Sequence, residues 1–559
     1  MERILKIFTK ESGSVNQAAL LLGILALAAD ILALFRDRSI AHFIGPTPQL
    51  DAYYAAFRVP DLIFVCIASL ASITVLIPFI SAKMRGGAVT KEAENFLGEV
   101  FTVFLIGMIL VAGILFFLMP HLIFFIAPGF TPAFAAQAIT LSRIMLLSPI
   151  LLGLSNLFGT ITQLFHRFFI FSLSPIFYNL GIIVGAVILY PIFGIYGLAY
   201  GVILGALIHF LIQAVASHYC GFTPKFSLTI HFAEIKKVAI TSLPRTLGLA
   251  FNNVAEISMT AFASFLAAGS ISIFNFSFNL QSVPLGIIGV SYATAAFPTL
   301  AQSIGEGRHD HFNAHLKSSA RAIVFWSIPA TFLFIVLRAQ IVRVVLGSGA
   351  FSWNDTRLAA ACLAIFSLSI LAQGMIALVS RAYYAKGQTK PPLIMNFICS
   401  VLIIIFAYLL MKIFENFLFF RYFMESLLKV SDIPGTEVMM LPLGYSLGTI
   451  LNFVLHWIFV KKDFMPNESF ITKTFFQSLG ASFFLGLVSY LSLNILSPVF
   501  GTTHSLGIFM QGFISGILGI IAAIIVLYLL KSEELTELIK TLRSKFWRAK
   551  VVVESPEEL

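Results

Sequence analysis

Charge is what this chain has least of. Asp, Glu, Lys and Arg make up 11% of its 559 residues while hydrophobic residues make up 58%, against roughly a quarter charged in an ordinary soluble domain. A water-facing surface cannot be built from that composition, so a soluble fold is excluded. Cysteine is scarce as well. Cys66, Cys220, Cys362 and Cys399 lie far apart and form no CxxC pair, which argues against a disulfide framework or a thiolate metal site. The histidines contain no HExxH spacing, and Gly-Xaa-Ser-like spots fall only in apolar helices or turns, so neither an enzyme nor a cofactor is expected. The net charge of +10 is spread through short loops and not gathered in a patch; it points to orientation in a membrane and excludes a nucleic-acid partner.

What the chain does have is long apolar runs. They fall near 15–36, 51–81, 96–119, 134–164, 168–190 and 194–217, then near 240–267, 271–303, 318–337, 356–384, 389–413 and 439–460, and finally near 474–496 and 506–530. The expected fold is an all-α integral membrane protein of about 14 transmembrane helices. Its predicted parts are a cytoplasmic segment 1–14, two pseudo-symmetric six-helix lobes at 15–217 and 240–460 with a cytoplasmic linker 218–239, a helix pair at 474–530, and a cytoplasmic amphipathic tail 531–559. Basic residues alternate with the spans. The connections around 120–133, 190–193, 267–270 and 496–505 hold no Lys or Arg, whereas those with Lys83, Arg85 and Lys91, or Lys461, Lys462 and Lys473, are rich in them. That bias predicts cytoplasmic termini, although outer connections carrying Arg38, Arg338, Arg343, Arg421 and Lys429 weaken it.

The two series of six look like copies. Pro175 and Asn179 recur as Pro392 and Asn396, and Gly197, Gly201 and His209 recur as Gly444, Gly448 and His456, with the register shift placed in an insertion at 415–437. An even number of helices per copy makes the repeat parallel, with a cavity expected between lobes that rock against each other. The insertion itself reads as an amphipathic helix at the outer interface, and Ser532 to Lys550 as one on the inner leaflet.

The few charges that enter the spans are concentrated. Arg36, Asp37, Arg38, Asp51, Arg58 and Asp61 fall within or beside the first two, where each charge at mid-membrane costs at least about 2.5–3.5 kcal/mol on insertion scales. Asp51, Tyr54, Arg58 and Asp61 share one helical stripe with Pro60 inside it, which bends the helix. A structural alternative pairs Arg58 with Asp61 or Asp51 across helices. Arg245 opens a polar face that continues at Asn252 and Glu256 with Asn253 beside it, a candidate site for coupling to Na+, H+ or the membrane potential; Asn396 joins that set. In the next helix Asn275, Asn279 and Ser282 line one face before Pro284.

The run LFRD followed by FIG, LDAYYAAFRVPDL and VLIPF, with IAPGF at 126–130 and FASFLAAGSIS and VPLGIIGV between Phe262 and Val290, resembles the MurJ/MviN lipid II flippases of the MOP transporter superfamily. The resemblance runs along essentially the whole chain. It implies a flippase that carries undecaprenyl-pyrophosphate-linked peptidoglycan precursor outward across the bacterial inner membrane. A central cavity would bind the headgroup through arginines, and the last two helices would form a groove for the lipid tail. By position Arg36, Asp37 and Asp51 match the family's motif and Arg58 stands where many members have a basic residue, so the substrate set is Arg36, Asp37, Asp51, Arg58, Arg245 and Asn279. The chain departs from the family at Asp30, Phe64 and Asn279, where arginines are expected, and at Ser69 and Met259, where acids are expected. The expected function is lipid II flipping, with lipid II, the bilayer and cell-wall synthesis enzymes as partners. The alternatives are a flippase for another polyprenyl-linked oligosaccharide, a multidrug exporter of the same superfamily, or a non-transporting scaffold.

Overall fold

A computed structural model of the chain describes residues 15–68, 76, 79–80, 82–83, 90–165, 167–221, 226–227, 229–464, 471–501 and 504–546; the side chains at 15–22, 67–68, 241, 244, 245, 249, 252 and 541–546 lie outside that description. Among the described residues there is no strand. Ten helices among the described residues are long and apolar enough to cross a bilayer, from Lys91–Ile126 to Ser505–Leu529, and the pair Trp353–Ser367 and Ile370–Ala385, bent by 44°, adds an eleventh. Helices at Val15–Phe43 (α1), Pro48–Ile63 (α2) and Phe232–Ala263 (α4), which carry most of the intramembrane charge, come in addition to these. The all-α, many-span reading therefore holds. Phe168–Val184 is α3 and Ser270–Pro284 is α5.

Local chemistry sets the ends and bends of the helices around the charges. α2 starts where Thr47 accepts a hydrogen bond from the Leu50 amide (3.3 Å) and Pro48 occupies the first turn, a position where its missing N–H costs nothing. Pro60 lies inside the same helix, and the chain continues as a π-helical turn at Phe64–Ala68. The pattern repeats: Pro284 precedes a π-turn at Leu285–Val290, and α3, which contains Pro175, runs into one at Gly185–Leu189. A proline removes one backbone donor, and a widened turn is one way for the neighbouring carbonyls to be satisfied.

The chain forms two compact units that are discontinuous in sequence. The first comprises Met1–Leu280, Val345–Phe366 and Gln388–Asn452. Within it, glycines set the closest helix approach. A Cβ on Gly201 would meet the Gly185 Cα at 2.5 Å, and one on Gly444 would meet the Ala407 Cα at 2.5 Å. The glycines that mark the sequence repeat thus do one job in both copies, bringing backbones together where any larger residue would push them apart. The insertion holds a helix at Leu418–Leu428 that buries Met424, Glu425 and Leu428 and exposes Phe419, Tyr422, Phe423 and Leu427, the amphipathic helix expected there. Its Glu425 accepts hydrogen bonds from Arg421 (3.0 Å) and Thr436 (2.6 Å).

The second unit comprises Gln281–Val344, Ser367–Gly387 and Phe453–Leu559. His309–Val336 (α6), Thr472–Phe500 (α7) and Ser505–Leu529 (α8) pack together in it, with a cluster of Phe325, Leu485 and Leu527 extended by Leu535 of the tail helix Glu533–Phe546 (α9). The tail's first turn is tied down. Glu533 pairs with Arg321 of α6 at 2.6 Å and with Lys473 of α7 at 2.8 Å, while Glu534 accepts from Arg321 at 2.8 Å and from Thr474 at 2.6 Å.

Candidate functional site

The stripe on α2 opens onto a cavity of about 270 Å3 in the first unit, lined by Arg36, Asp37, Ile40, Tyr53, Tyr54, Phe57, Arg58, Asp61, Tyr178, Ile182, Glu256, Asn275, Phe278 and Asn279. Five helices contribute: α1 supplies Arg36 and Asp37, α2 Tyr54, Arg58 and Asp61 of the stripe, α3 Tyr178, α4 Glu256, and α5 the two asparagines. Residues scattered over more than two hundred positions converge because helical spacing turns each polar pair to one face.

Each guanidinium is held by a shell of its own. Arg58 donates from Nη1 to Glu256 (2.7 Å), from Nη2 to the Asn275 side-chain oxygen (2.9 Å) and from Nε to Thr260 Oγ1 (2.9 Å). Asn275 is fixed in turn by its own donation to the Ile271 carbonyl (2.7 Å). Arg36 donates from Nε (2.9 Å) and Nη2 (2.8 Å) to Asp37 Oδ1 and from Nη1 to the Asn179 side chain (3.0 Å), while Asn279 donates to Asp37 Oδ2 (2.9 Å). A planar fork of donors is suited to carboxylate and phosphate oxygens. The Tyr54 hydroxyl, also in the lining, has no hydrogen-bond partner among the described residues, and buried hydroxyls are rarely left so.

Of the residues expected to bind substrate, Arg36, Asp37, Arg58 and Asn279 meet here, and Glu256, expected as a coupling residue, meets them as the ion-pair partner of Arg58. The alternative pairing of Arg58 with Asp61 or Asp51 is not seen. Asp51 is not in the lining. It is buried at the start of α5, where it accepts from the amides of Gly269 (2.7 Å) and Ser272 (2.8 Å) and from the Ser272 hydroxyl (2.6 Å). Nor do Asn253 and Asn396 line the cavity. The Arg245 and Asn252 side chains, with Ser69, lie outside the described residues. Arg143, within the span Pro132–Leu164, does not line the cavity: it donates to the Phe116 carbonyl (3.0 Å) and its guanidinium lies 4.7 Å from the centre of the Phe116 ring. Tyr53, Tyr178, Asn179 and Thr260 were missed as site residues; Asn179 carried a signal as half of the repeated Pro-Asn pair.

A bundle of membrane-crossing helices enclosing a shell of arginines and carboxylates defines a membrane transporter for a polar or anionic cargo. The comparisons with known proteins narrow this class. The family model described as lipid II flippase MurJ matches residues 40–511, and the chain belongs to that family. A probable lipid II flippase MurJ of Rickettsia prowazekii is 28% identical over 384 residues, 67% of this chain and 74% of the relative. One from Buchnera aphidicola subsp. Baizongia pistaciae is 23% identical over 505 residues, 88% and 92% of the two chains. Among solved structures, a lipid II flippase MurJ in an inward closed conformation matches with a TM-score of 0.73 and 22% identity, covering 93% of this chain and all of that one. An inward-facing multidrug resistance transporter of the MATE family in the MOP superfamily matches at 0.62 with 15% identity, covering 80% of this chain and 98% of that one. These likenesses show that the fold is shared.

Proposed function

We propose that this chain carries lipid II, the undecaprenyl-diphosphate-linked peptidoglycan precursor, from the inner to the outer leaflet of the bacterial cytoplasmic membrane by alternating access, with both termini in the cytoplasm. The observation that carries the reading is the cavity: two fixed guanidinium forks and an unpartnered phenol in a membrane-embedded site, in a chain of the lipid II flippase family. Arg36 and Arg58 would hold the diphosphate. The surrounding aromatic residues Tyr53, Phe57 and Tyr178 offer flat faces of the kind that stack on sugar rings. The α7–α8 pair is proposed to guide the polyprenyl tail, and the parts at 15–217 and 240–460 to act as the two moving lobes.

The test is complementation of a bacterium depleted of its lipid II flippase, scored together with labelling of lipid II in the outer leaflet. The native chain is expected to restore both growth and labelling, and the double substitution Arg36→Ala and Arg58→Ala to abolish both at unchanged protein level. Full rescue by the double variant overturns the arginine assignment. Failure of the native chain, correctly inserted, moves the assignment to another lipid-linked cargo or to a scaffold that recruits cell-wall enzymes.

A further inference from the structure

The charge balance of the cavity has the wrong sign for an anionic cargo. Among the described residues its lining holds two guanidinium groups, Arg36 and Arg58, against three carboxylates, Asp37, Asp61 and Glu256. With all of them ionised this described lining is negative by one charge, and an entering diphosphate adds more of the same sign. Like charges crowded in a low-dielectric site repel strongly, so the cavity needs to shed negative charge to accept its load.

The three carboxylates differ in how free they are to do this. Asp37 is fixed by Arg36 on one oxygen and Asn279 on the other. Glu256 holds Arg58 at 2.7 Å, but its side chain is 30% exposed against 9% for Arg58. It is the partner on the open side, and Thr260 and Asn275 keep the guanidinium in place without it. Asp61, nearly one turn beyond Arg58, makes no side-chain hydrogen bond or ion pair among the described residues, although it lines the same cavity. An ionised carboxylate without a partner inside a membrane protein is costly.

We propose that an entering diphosphate displaces Glu256 from Arg58, and that the cavity takes up one proton from water onto the Asp61 and Glu256 carboxylates, so that cargo binding and protonation are linked. The inference rests on the reading of this cavity as the diphosphate site. The proton goes onto a carboxylate oxygen, and no bond of the cargo changes. The titratable or charged groups facing the two carboxylates are Arg58, Tyr53 and Tyr54 on α2, Arg36 and Asp37 on α1, Tyr178 on α3, and Tyr445. Guanidinium and phenol groups ordinarily titrate far above neutrality, and Asp37 is held by its two donors, which leaves Asp61 and Glu256. A proton needs a single oxygen, whereas a hard metal cation needs a shell of several. The side-chain oxygens of Thr260 and Asn275 and one of Glu256 are already turned to Arg58, and among the described residues no cluster of three acidic, His or Cys side chains is spaced to hold a metal.

The experiment is calorimetric titration of the full-length chain in lipid nanodiscs with undecaprenyl diphosphate, in two buffers of different ionisation enthalpy. The native protein is expected to take up about one proton per diphosphate bound, with affinity falling by up to about tenfold per pH unit on the alkaline side. Asp61→Asn is expected to bind more tightly at pH 8, with the proton uptake lost and the pH slope flattened. Glu256→Gln, a second variant should the first not fold, is expected to bind more tightly because Arg58 loses its competitor. Absence of proton uptake by the native protein overturns the proposal. So does uptake that survives both substitutions, because the cargo's own phosphates would then be titrating, and so does a dependence on sodium in place of pH. A parallel titration with lipid II separates this inference from the function it rests on. Linked uptake with undecaprenyl diphosphate but no binding of lipid II sinks the lipid II assignment alone, whereas lipid II binding without uptake sinks the linkage alone.

Discussion

Asp51 and Arg58 stand about two turns apart on α2 and serve different ends. Arg58 is cradled by a glutamate, an asparagine and a threonine and borders open space. Asp51 is buried, with three donors filling its oxygens, and it ties α2 to the start of α5. Losing a helix cap costs about 1 kcal/mol, and stranding a buried amide about 1–3 kcal/mol. Asp51→Ala should therefore destabilise the chain by about 2–4 kcal/mol, read as a lower unfolding temperature in nanodiscs, with diphosphate affinity near native in the protein that remains folded. A loss of affinity without a loss of stability would return Asp51 to the binding set. The sequence shows that these charges share a helix face, because periodicity is local. It does not show what they face, because the partners of Asp51 lie 218 and 221 positions away. The same limit hid Thr260 and Asn179, whose side chains carry no charge to advertise them inside apolar runs.

The helix is the scale at which the prolines matter. Pro60 precedes the π-turn at Phe64–Ala68 by four residues, and Pro284 stands directly before the one at Leu285–Val290. Such turns loosen the regular ladder and often mark functional bends. Replacing either proline by alanine restores a backbone donor and improves helix propensity. The unfolding temperature is expected to hold or rise, while outer-leaflet labelling of lipid II in complemented cells falls several-fold. Labelling at the native rate would show that these prolines are not used in transport. A break in the regular helix near Pro60 was legible in the sequence, since proline in an apolar run has few other readings. The widened turn was not, because it depends on how neighbouring carbonyls find donors.

At the scale of the whole molecule, composition set the membrane class, the apolar runs showed that the spans are many, and the ordered motifs pointed to the family. Packing was less legible, since 345–366 and 388–452 join the unit built mainly from 1–280 and nothing local in the chain announces it. The tail was read as a helix resting on the inner leaflet, but its first turn is also clasped by Arg321, Lys473 and Thr474. Hydrogen bonds from Lys473 and then Arg321 hold the Glu533 carboxyl down at about 2. A carboxyl lowered on folding stabilises the docked state fully above its ordinary range, and that contribution is lost as pH falls from about 4.5 towards 2. Hydrogen exchange across the described part of α9 should accordingly stay slow from neutrality to pH 5 and quicken below about 4, after correction for intrinsic exchange; Arg321→Gln should quicken it at pH 7. Equal protection in the variant would show that Leu535 and its apolar neighbours suffice. The inward-turned pairing of Arg36 and Arg58 has a further consequence, for the cell's permeability. A carrier that alternates between two aqueous phases with bare guanidiniums would ferry chloride and inorganic phosphate on every empty return. In the proposed alternating cycle, forks already satisfied by the protein's own oxygens would leave chloride and inorganic phosphate no site on the empty return, so proteoliposomes holding the unloaded chain are expected to leak neither anion.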